Sequence, residues 1–471
     1  MRLTPRGAVW IYAAVVAALA SYFLIDIPVQ LSDSLQNIFS ADRRTLRELI
    51  VNNLWANGYM RPLLFVPIRI AYLASDGDYT TWFRGVHAVQ LTLTIAALVA
   101  CLGVRTWAQA TSAPIAVAVL LSMHTFADNI REAFPVNAYL TIVLCCLLTV
   151  LLARAKHHWW SDAGAVVLLA IAALSVESGL LVGVIVVAAY IAGWRGISRW
   201  GVGAVVVGVV AYLGMRYLVL HVGTPGLDER ATGFGFAVLE PREVQARFGA
   251  HPWQLFTYNV LASAGSVLFA EPRAGVFWVT RAALRDDLAP WMVVNVAACS
   301  ATTLLLVTHV ARGWDRWRRW QLSEADRIIV VFAAVLAGNA TMNLVYTKDV
   351  IMGPAGALFA LAAGGALAAR VDSPGPSPRA AGTVVLLAVL SLSWGIKMAG
   401  VHYSLRDSAH ATRKAWAYAD GWLKDQEVSL ASPRERAITD RLMADALWKR
   451  PAAPRIQIHW RWPGDWFDTT Q

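Results

Sequence analysis

Long uninterrupted apolar runs, separated by short polar and basic stretches, dominate the pattern of the chain. A run of roughly 20 apolar residues is the length that crosses a bilayer as a helix, so the pattern predicts about eleven membrane-spanning helices. The predicted spans are residues 9–27, 83–104, 108–126, 136–153, 162–176, 178–193, 200–220, 289–311, 327–346, 350–370 and 380–399. The expected class is therefore an all-α polytopic membrane protein.

Two further apolar runs, 61–75 and 256–271, are too short to span comfortably. Counting either of them as a span would also move a basic loop to the opposite side of the membrane. We therefore expect both runs to form interfacial or re-entrant helices on the external side.

Three basic loops, 154–156, 194–199 and 311–320, set the expected orientation. Short loops rich in lysine and arginine stay in the cytoplasm, so the N-terminus is expected there as well. No small-residue cleavage site follows the first apolar run, which therefore predicts an uncleaved span rather than a signal peptide. The loops 28–82, 127–135, 221–288 and 347–349 are then external.

The last seventy residues are expected to form a small external unit, 401–471, appended to a transmembrane domain of residues 1–400. Residues 403–422 show a charged amphipathic pattern, and Ser432 with Pro433 and Glu435 forms a capping box that predicts a helix to about Trp448. Residues 455–462 alternate like a short strand.

Composition narrows the class of protein. Only 15% of the 471 residues are charged and the mean hydropathy is positive, which excludes an ordinary soluble enzyme. The net charge of +10 resides in the short loops between spans, so nucleic acid is not an expected partner, whereas membrane lipids are. All four cysteines lie in apolar runs without metal-ligand spacing and are expected to be buried and free.

Several short motifs follow one another in a distinctive order. They are Asp33, 59–63 (YMRPL), 85–90 (GVHAVQ), Met123 with His124, 131–133 (REA), 175–179 (SVESG) and 348–356 (KDVIMGPAG). Over roughly residues 1–400 this order resembles the GT-C superfamily of membrane glycosyltransferases, especially the O-mannosyltransferase-like proteins that carry tetratricopeptide repeats and their bacterial relatives. The resemblance implies a GT-C-like bundle and an inverting transfer of a sugar from a polyprenyl-phosphate carrier to a protein, glycan or lipid acceptor. The expected place is the external face of a bacterial inner membrane.

Such a transfer needs a general base for the acceptor hydroxyl and help for the departing phosphate. Asp33 is the candidate base, although it could instead cap the helix that begins at this point. Asp128 and Glu132 are four residues apart and would share a helix face, where they could bind a divalent cation or assist Asp33. Alternatively, they form an ordinary solvated loop in which Arg131 balances their charge.

Arg61, followed by Pro62, is the favoured ligand for the donor phosphate because a guanidinium offers paired donors. Lys348 and Arg131 are further candidates for the phosphate, and Lys348 could instead pair with Asp349. Glu177 interrupts an apolar run, so its carboxylate is expected to face a cavity or a partner. Tyr59 and His87 complete the candidate substrate-binding residues, although a lone histidine such as His87 is more often structural.

Two other functions remain open at this level. A transporter or flippase of lipid-linked or polar substrates would also span the membrane many times, but no internal repeat of the transporter kind is visible. A catalytically inactive GT-C-like partner subunit would fit the single acid of the first external loop.

Overall fold

The computed structural model describes residues 3–31, 33–55, 60–131, 137–221, 231–372, 377–418 and 432–448. Within these ranges the regular secondary structure is helical apart from one two-stranded hairpin and an isolated β-bridge between Arg273 and Val276. The helices of the first half are α1 (Pro5–Ile25), α2 (Asp33–Arg43), α3 (Leu46–Trp55), α4 (Pro62–Ser75), α5 (Tyr79–Leu102), α6 (Trp107–Ala110), α7 (Ser112–Ser122), α8 (His124–Arg131), α9 (Ala138–Arg154), α10 (Trp159–Ala173), α11 (Leu181–Ile191) and α12 (Arg199–Gly214).

The second half begins with the hairpin of β1 (Ala231–Gly233) and β2 (Phe236–Leu239). Its helices are α13 (Pro241–Phe248), α14 (Trp253–Phe269), α15 (Trp278–Ala283), α16 (Pro290–Arg312), α17 (Trp314–Arg318), α18 (Glu324–Met342), α19 (Gly353–Asp372), α20 (Ser377–Ala417) and α21 (Pro433–Trp448). Short 3₁₀ turns, Glu177–Leu180 and Asp349–Met352, precede α11 and α19, and a π-helical turn, Met215–Val219, continues α12.

Seven helices of the described residues are long and apolar enough to cross a membrane. They are α1, α5, α12 with its π-helical turn, α16, α18, α19 with its 3₁₀ turn, and α20. The other four predicted spans correspond to shorter apolar helices, namely α6 with α7, α9, α10, and α11 with its preceding turn. The all-α, multi-pass prediction is thus confirmed at the level of its helices.

One helix crosses the boundary that the sequence analysis placed near residue 400. Helix α20 runs without interruption for 41 residues, from the last predicted span into the amphipathic pattern that we assigned to the tail. Its buried residues Trp394, Leu405, Ala409 and Trp416 follow a helical spacing across the expected boundary. Between Trp394 and Trp416 there is no proline and no residue with a positive φ, so no backbone feature ends the helix there.

Helix α19 lies at the centre of the bundle and packs against α5, α7, α9, α16 and α18. In the apolar window of 18 residues within 349–372, 89% of the residues are buried. Small residues allow this close packing: a Cβ on Gly364 would lie 2.9 Å from the Cβ of Ala116 on α7.

The three basic loops meet at one end of the bundle, which we call the basic end. Arg154 Nε lies 2.6 Å from Glu324 Oε1, and Trp194 Nε1 donates to Glu324 Oε2 at 3.0 Å. Trp320 Nε1 donates to the carbonyl of Ile191 at 3.2 Å. The structure therefore brings the loops that the sequence assigned to one side of the membrane to one end of the molecule.

A separate hydrophobic cluster forms a layer beyond the opposite end, which we call the outer layer. It contains buried residues of α2, α4, α5, α20 and α21, namely Leu35, Ile38, Phe39, Ile68, Tyr72, Phe83, Trp416, Ile438 and Leu442. Helix α21 begins at Pro433 and ends at Trp448, the bounds that the capping box predicted.

Polar contacts fasten the outer layer to the bundle. Arg84, only 1% exposed, donates to the carbonyls of Ile27 and Pro28 at 2.5 Å each. Arg413 of α20 donates to Asp26 Oδ1 at 3.0 Å, and Glu435 of α21 pairs with Arg43. The residues after the first span are therefore held by the last two helices.

The hairpin was not predicted, since residues 221–288 were expected to form a loop with one interfacial helix. Gly233 (φ 124°) and Gly235 (φ 81°) provide the positive φ that its turn requires. Asn259 of α14 donates to the carbonyls of Thr232 and Leu344, at 2.9 Å each, and so fixes the hairpin to α14 and to the segment after α18.

Candidate functional site

Two arginines and one glutamate meet at the end opposite the basic end. Arg61 contacts both carboxylate oxygens of Glu177, with Nε 3.2 Å from Oε1 and 3.1 Å from Oε2 and with the terminal NH2 2.7 Å from Oε2. Arg216 donates to Oε1 of the same carboxylate at 2.6 Å. Glu177 is thus the shared partner of two guanidinium groups, as an acid in an apolar run requires.

The local sequence explains how Arg61 and Glu177 come together. Arg61 is the N-cap of α4, and Pro62 fixes the first helical residue. The amide of Leu63 donates to the carbonyl of Leu174 at 3.0 Å, which joins the start of α4 to the end of α10. Gly179 lets the following 3₁₀ turn fold back on α10, because a Cβ there would lie 2.0 Å from the carbonyl carbon of Ala172.

Arg216 was missed by the sequence reasoning. It lies in the π-helical turn at the end of α12, and its side chain is 3% exposed. Its terminal NH1 also donates to the hydroxyl of Tyr212 at 3.3 Å. A cation within the predicted span 200–220 is the signal that could have identified it, since such residues face the bundle interior and pair.

Tyr139, at the start of α9, lies within electrostatic range of two candidate phosphate ligands, Arg61 and Lys348. Arg61, Lys348, Glu177 and Tyr346 are all near enough to interact electrostatically with its hydroxyl. The cations Arg61, Arg216 and Lys348 therefore share this end of the bundle with one carboxylate, that of Glu177. Guanidinium and ammonium groups gathered in this way are the side chains that bind phosphate in proteins.

Lys348 does not pair with Asp349, the alternative considered from the sequence. The Asp349 carboxylate is buried and accepts from the backbone amide of Ala274 at 2.8 Å and from Arg273 Nε at 3.3 Å. Lys348 itself is exposed. Its neighbour is thus anchored, which leaves the ammonium group at the surface of this end.

A small apolar cavity lies along the first turns of α4, the helix whose N-cap is Arg61. It measures about 130 Å³, and its lining includes Leu63, Leu64, Pro67, Ala138, Thr141 and Ile171, from α4, α9 and α10. The residues that follow Arg61 along α4 therefore form the wall of an apolar space. A ligand with a charged head and an apolar chain could place both parts here.

The candidate acids are only partly placed. Asp33 is the first residue of α2 and Asp128 lies in α8, but their side chains are outside the described part of the structure, as is that of Arg131. Glu132 and Tyr59 lie wholly outside the described residues. No group of three histidine, cysteine, aspartate or glutamate side chains suited to a metal ion occurs among the residues that are described.

The backbone of α8 is nevertheless held next to the other candidates. Helix α8 packs against the 3₁₀ turn that follows Lys348. The carbonyl of Asn129 contacts His87 Nε2 at 2.8 Å and accepts from Asn137 Nδ2 at 2.8 Å. His87 is fully buried, so its observed part is to hold α8 in place rather than to line an open site.

Comparison of the chain with protein-family models, with curated proteins and with solved structures found no match. The residues that meet at this end of the bundle are therefore interpreted from their own geometry and charge.

Proposed function

We propose that the protein is a membrane glycosyltransferase of the GT-C kind, which moves a sugar from a polyprenyl-phosphate carrier to an acceptor. The observation that carries this proposal is the group of cations Arg61, Arg216 and Lys348 at one end of the bundle, together with an apolar cavity along the first turns of α4, the helix that Arg61 caps. A lipid-linked phosphate combines the two properties that such a place would recognise, an anionic head and a hydrocarbon chain. The sequence resemblance supports the same donor.

Arg61 and Lys348 bind the phosphate in this proposal. As the bond from the anomeric carbon to the phosphate oxygen breaks, its electron pair stays with that oxygen, and the two cations stabilise the growing charge. Glu177 and Arg216 are positioning residues: the carboxylate holds the Arg61 guanidinium through its two oxygens, and Arg216 holds the carboxylate.

Asp33 is the proposed general base. It takes the proton of the acceptor hydroxyl while that oxygen bonds to the anomeric carbon. Asp128 and Glu132 assist it, or bind a divalent cation that would neutralise part of the phosphate charge, since carboxylate oxygens suit such ions. The acceptor is a protein, a glycan or a lipid on the same side of the membrane.

The orientation follows from the basic end. The loops gathered there belong in the cytoplasm by the positive-inside rule, which puts Arg61, Lys348 and the outer layer at the external face. With the resemblance to bacterial relatives, we place the protein in a bacterial inner membrane.

The direct test uses purified protein in liposomes, a radiolabelled set of polyprenyl-phosphate sugars and a panel of acceptors. Release of polyprenyl phosphate coupled to labelling of an acceptor is expected from the wild type and absent from Asp33→Asn. Arg61→Gln should reduce turnover about 100-fold, the usual loss on removing one donor to a developing oxyanion. The matched control is Arg285→Gln, which removes an exposed arginine of another predicted external loop, 221–288, outside the site.

Two results would contradict the proposal. Full activity of Asp33→Asn would eliminate the assigned base. Movement of the intact carrier across the liposome, without release of polyprenyl phosphate, would identify a flippase instead.

A further inference from the structure

A second and larger cavity lies at the basic end, far along the helices from the site around Tyr139. It measures about 670 Å³ and lies between α16, α19 and α20, with α17 at its rim. This is within the range of about 300–1,000 Å³ that is usual for ligand pockets. Its polar lining comprises Thr308, His309, Arg312, Arg316, Arg370 and Thr383, with Ser323.

The lining contains three arginines, of which only Arg316 forms an ion pair with a described carboxylate, that of Asp326. Asp326 accepts from His309 Nε2 at 3.0 Å and lies 3.2 Å from an NH2 nitrogen of Arg316, so this carboxylate is already shared. Arg370 donates to the neutral hydroxyl of Thr383 at 3.2 Å. Arg312 forms no hydrogen bond or ion pair with any residue in the described ranges. Two guanidinium groups of the cavity, those of Arg312 and Arg370, thus lack a carboxylate partner among the described residues.

Apolar surface continues from the cavity along two helices. On α16 the side chains of Leu304 and Val307 are exposed, and on α20 those of Val384 and Val385 are exposed. Each of the four lies one or two residues from a cavity residue in the sequence. A molecule bound by the arginines would therefore have a hydrocarbon-facing surface directly beside it.

We propose that this cavity binds the phosphate headgroup of an anionic membrane lipid, with the acyl chains lying along α16 and α20. Arg312 and Arg370 contact the phosphate, and the hydroxyls of Thr308 and Thr383 border the headgroup. Basic pockets between helices at the cytoplasmic surface are suited to such headgroups, since phosphate and guanidinium form charge-assisted hydrogen bonds. A free phosphate would use the same arginines but not the apolar faces, so the two sources are separable.

The test is native mass spectrometry of the detergent-purified protein during titration with phosphatidylglycerol, with phosphatidylcholine and with inorganic phosphate. Phosphatidylglycerol is expected to bind more tightly than phosphatidylcholine, and inorganic phosphate at millimolar concentration is expected not to displace it. Arg312→Gln and Arg370→Gln should each weaken binding of phosphatidylglycerol about fivefold, and the double variant about 25-fold. Arg312 has no partner among the described residues, so its replacement should leave the fold intact, which the elution volume on size exclusion verifies.

The matched control is Arg318→Gln, which removes an exposed arginine of the same cytoplasmic loop outside the cavity. Equal binding of the two lipids would overturn the proposal. So would displacement by inorganic phosphate, which identifies a site for the free anion. An effect of Arg318→Gln as large as that of Arg312→Gln would also overturn it, because the attraction would then come from the general charge of this end.

Discussion

Replacing Glu177 by glutamine tests whether its carboxylate stabilises the fold by pairing with both Arg61 and Arg216. The substitution keeps the size of the side chain and one carbonyl acceptor but removes the negative charge. Arg61 and Arg216 would then face each other without their shared counter-charge, and the Arg216 side chain is only 3% exposed. Neither arginine can lose its proton to relieve the repulsion.

The expected cost is about 3 kcal/mol of unfolding free energy. Removing one partner of a buried ion pair costs about 3–5 kcal/mol, since the remaining charge stays buried and uncompensated. The lower end applies here because the Glu177 side chain is 27% exposed and glutamine still accepts one hydrogen bond. Adding Arg216→Met to Glu177→Gln should recover part of the loss, because the double variant no longer buries an unpaired cation.

The measurement is equilibrium unfolding in mixed micelles, followed by tryptophan fluorescence, for the two single variants and the double variant. Asp287→Asn is the control, since it removes an exposed carboxylate for which the structure shows no ion pair among the described residues. A Glu177→Gln variant within about 0.5 kcal/mol of the wild type would refute the reasoning, since surface substitutions have effects of that size. Additive single effects would show that the two residues are not coupled.

Two further predictions concern the outer layer and the loop after α14. Glu435 is 1% exposed and pairs with Arg43, so it anchors α21, and Glu435→Ala should speed amide hydrogen exchange in residues 433–448 about tenfold. Asp440→Asn, which changes an exposed residue of the same helix, should leave the exchange rate unchanged. Equal exchange rates in the two variants would rule out the anchor. Burial raises the pKa of the Glu271 carboxyl, although the amides of Val279 and Thr280 donate to it. A raised pKa in the folded state stabilises the fold below the unfolded pKa of about 4.3, and this contribution disappears as pH rises through the folded pKa. Stability measured against pH should therefore fall more in the wild type than in Glu271→Gln above about pH 4, and parallel curves would contradict the assignment.

The helices were largely predictable because hydrocarbon permits few alternatives for a long apolar run. The short runs 61–75 and 256–271 are also helical, as α4 with 14 residues and α14 with 17 residues. Their interfacial or re-entrant placement stays a prediction. The continuity of α20 was not predictable from hydropathy. The apolar run ends near residue 400, but the helix continues because Leu405, Ala409 and Trp416 find partners in other elements.

The site was predictable residue by residue but not as an arrangement. Glu177 had to find a partner, yet Arg61 lies 116 positions away and Arg216 lies 39 positions away in the opposite direction along the chain. The hairpin was not predicted because its register depends on two glycines at positive φ and on Asn259, rather than on an alternating pattern of apolar and polar residues. Contacts of this kind are decided by packing between distant segments, which a single sequence does not display.

Helix α20 also connects the two ends of the molecule. With 41 residues and a rise of about 1.5 Å per residue it is about 60 Å long, roughly twice the thickness of the hydrocarbon core. Near its start Thr383 borders the cavity of the basic end, and near its finish Arg413 and Trp416 hold Asp26 and Val29. A tilt of about 10° about one end would displace the other by about 10 Å. One continuous helix therefore connects the cavity of the basic end to the segment that precedes Asp33, so that a displacement of one end of the helix would reach the other.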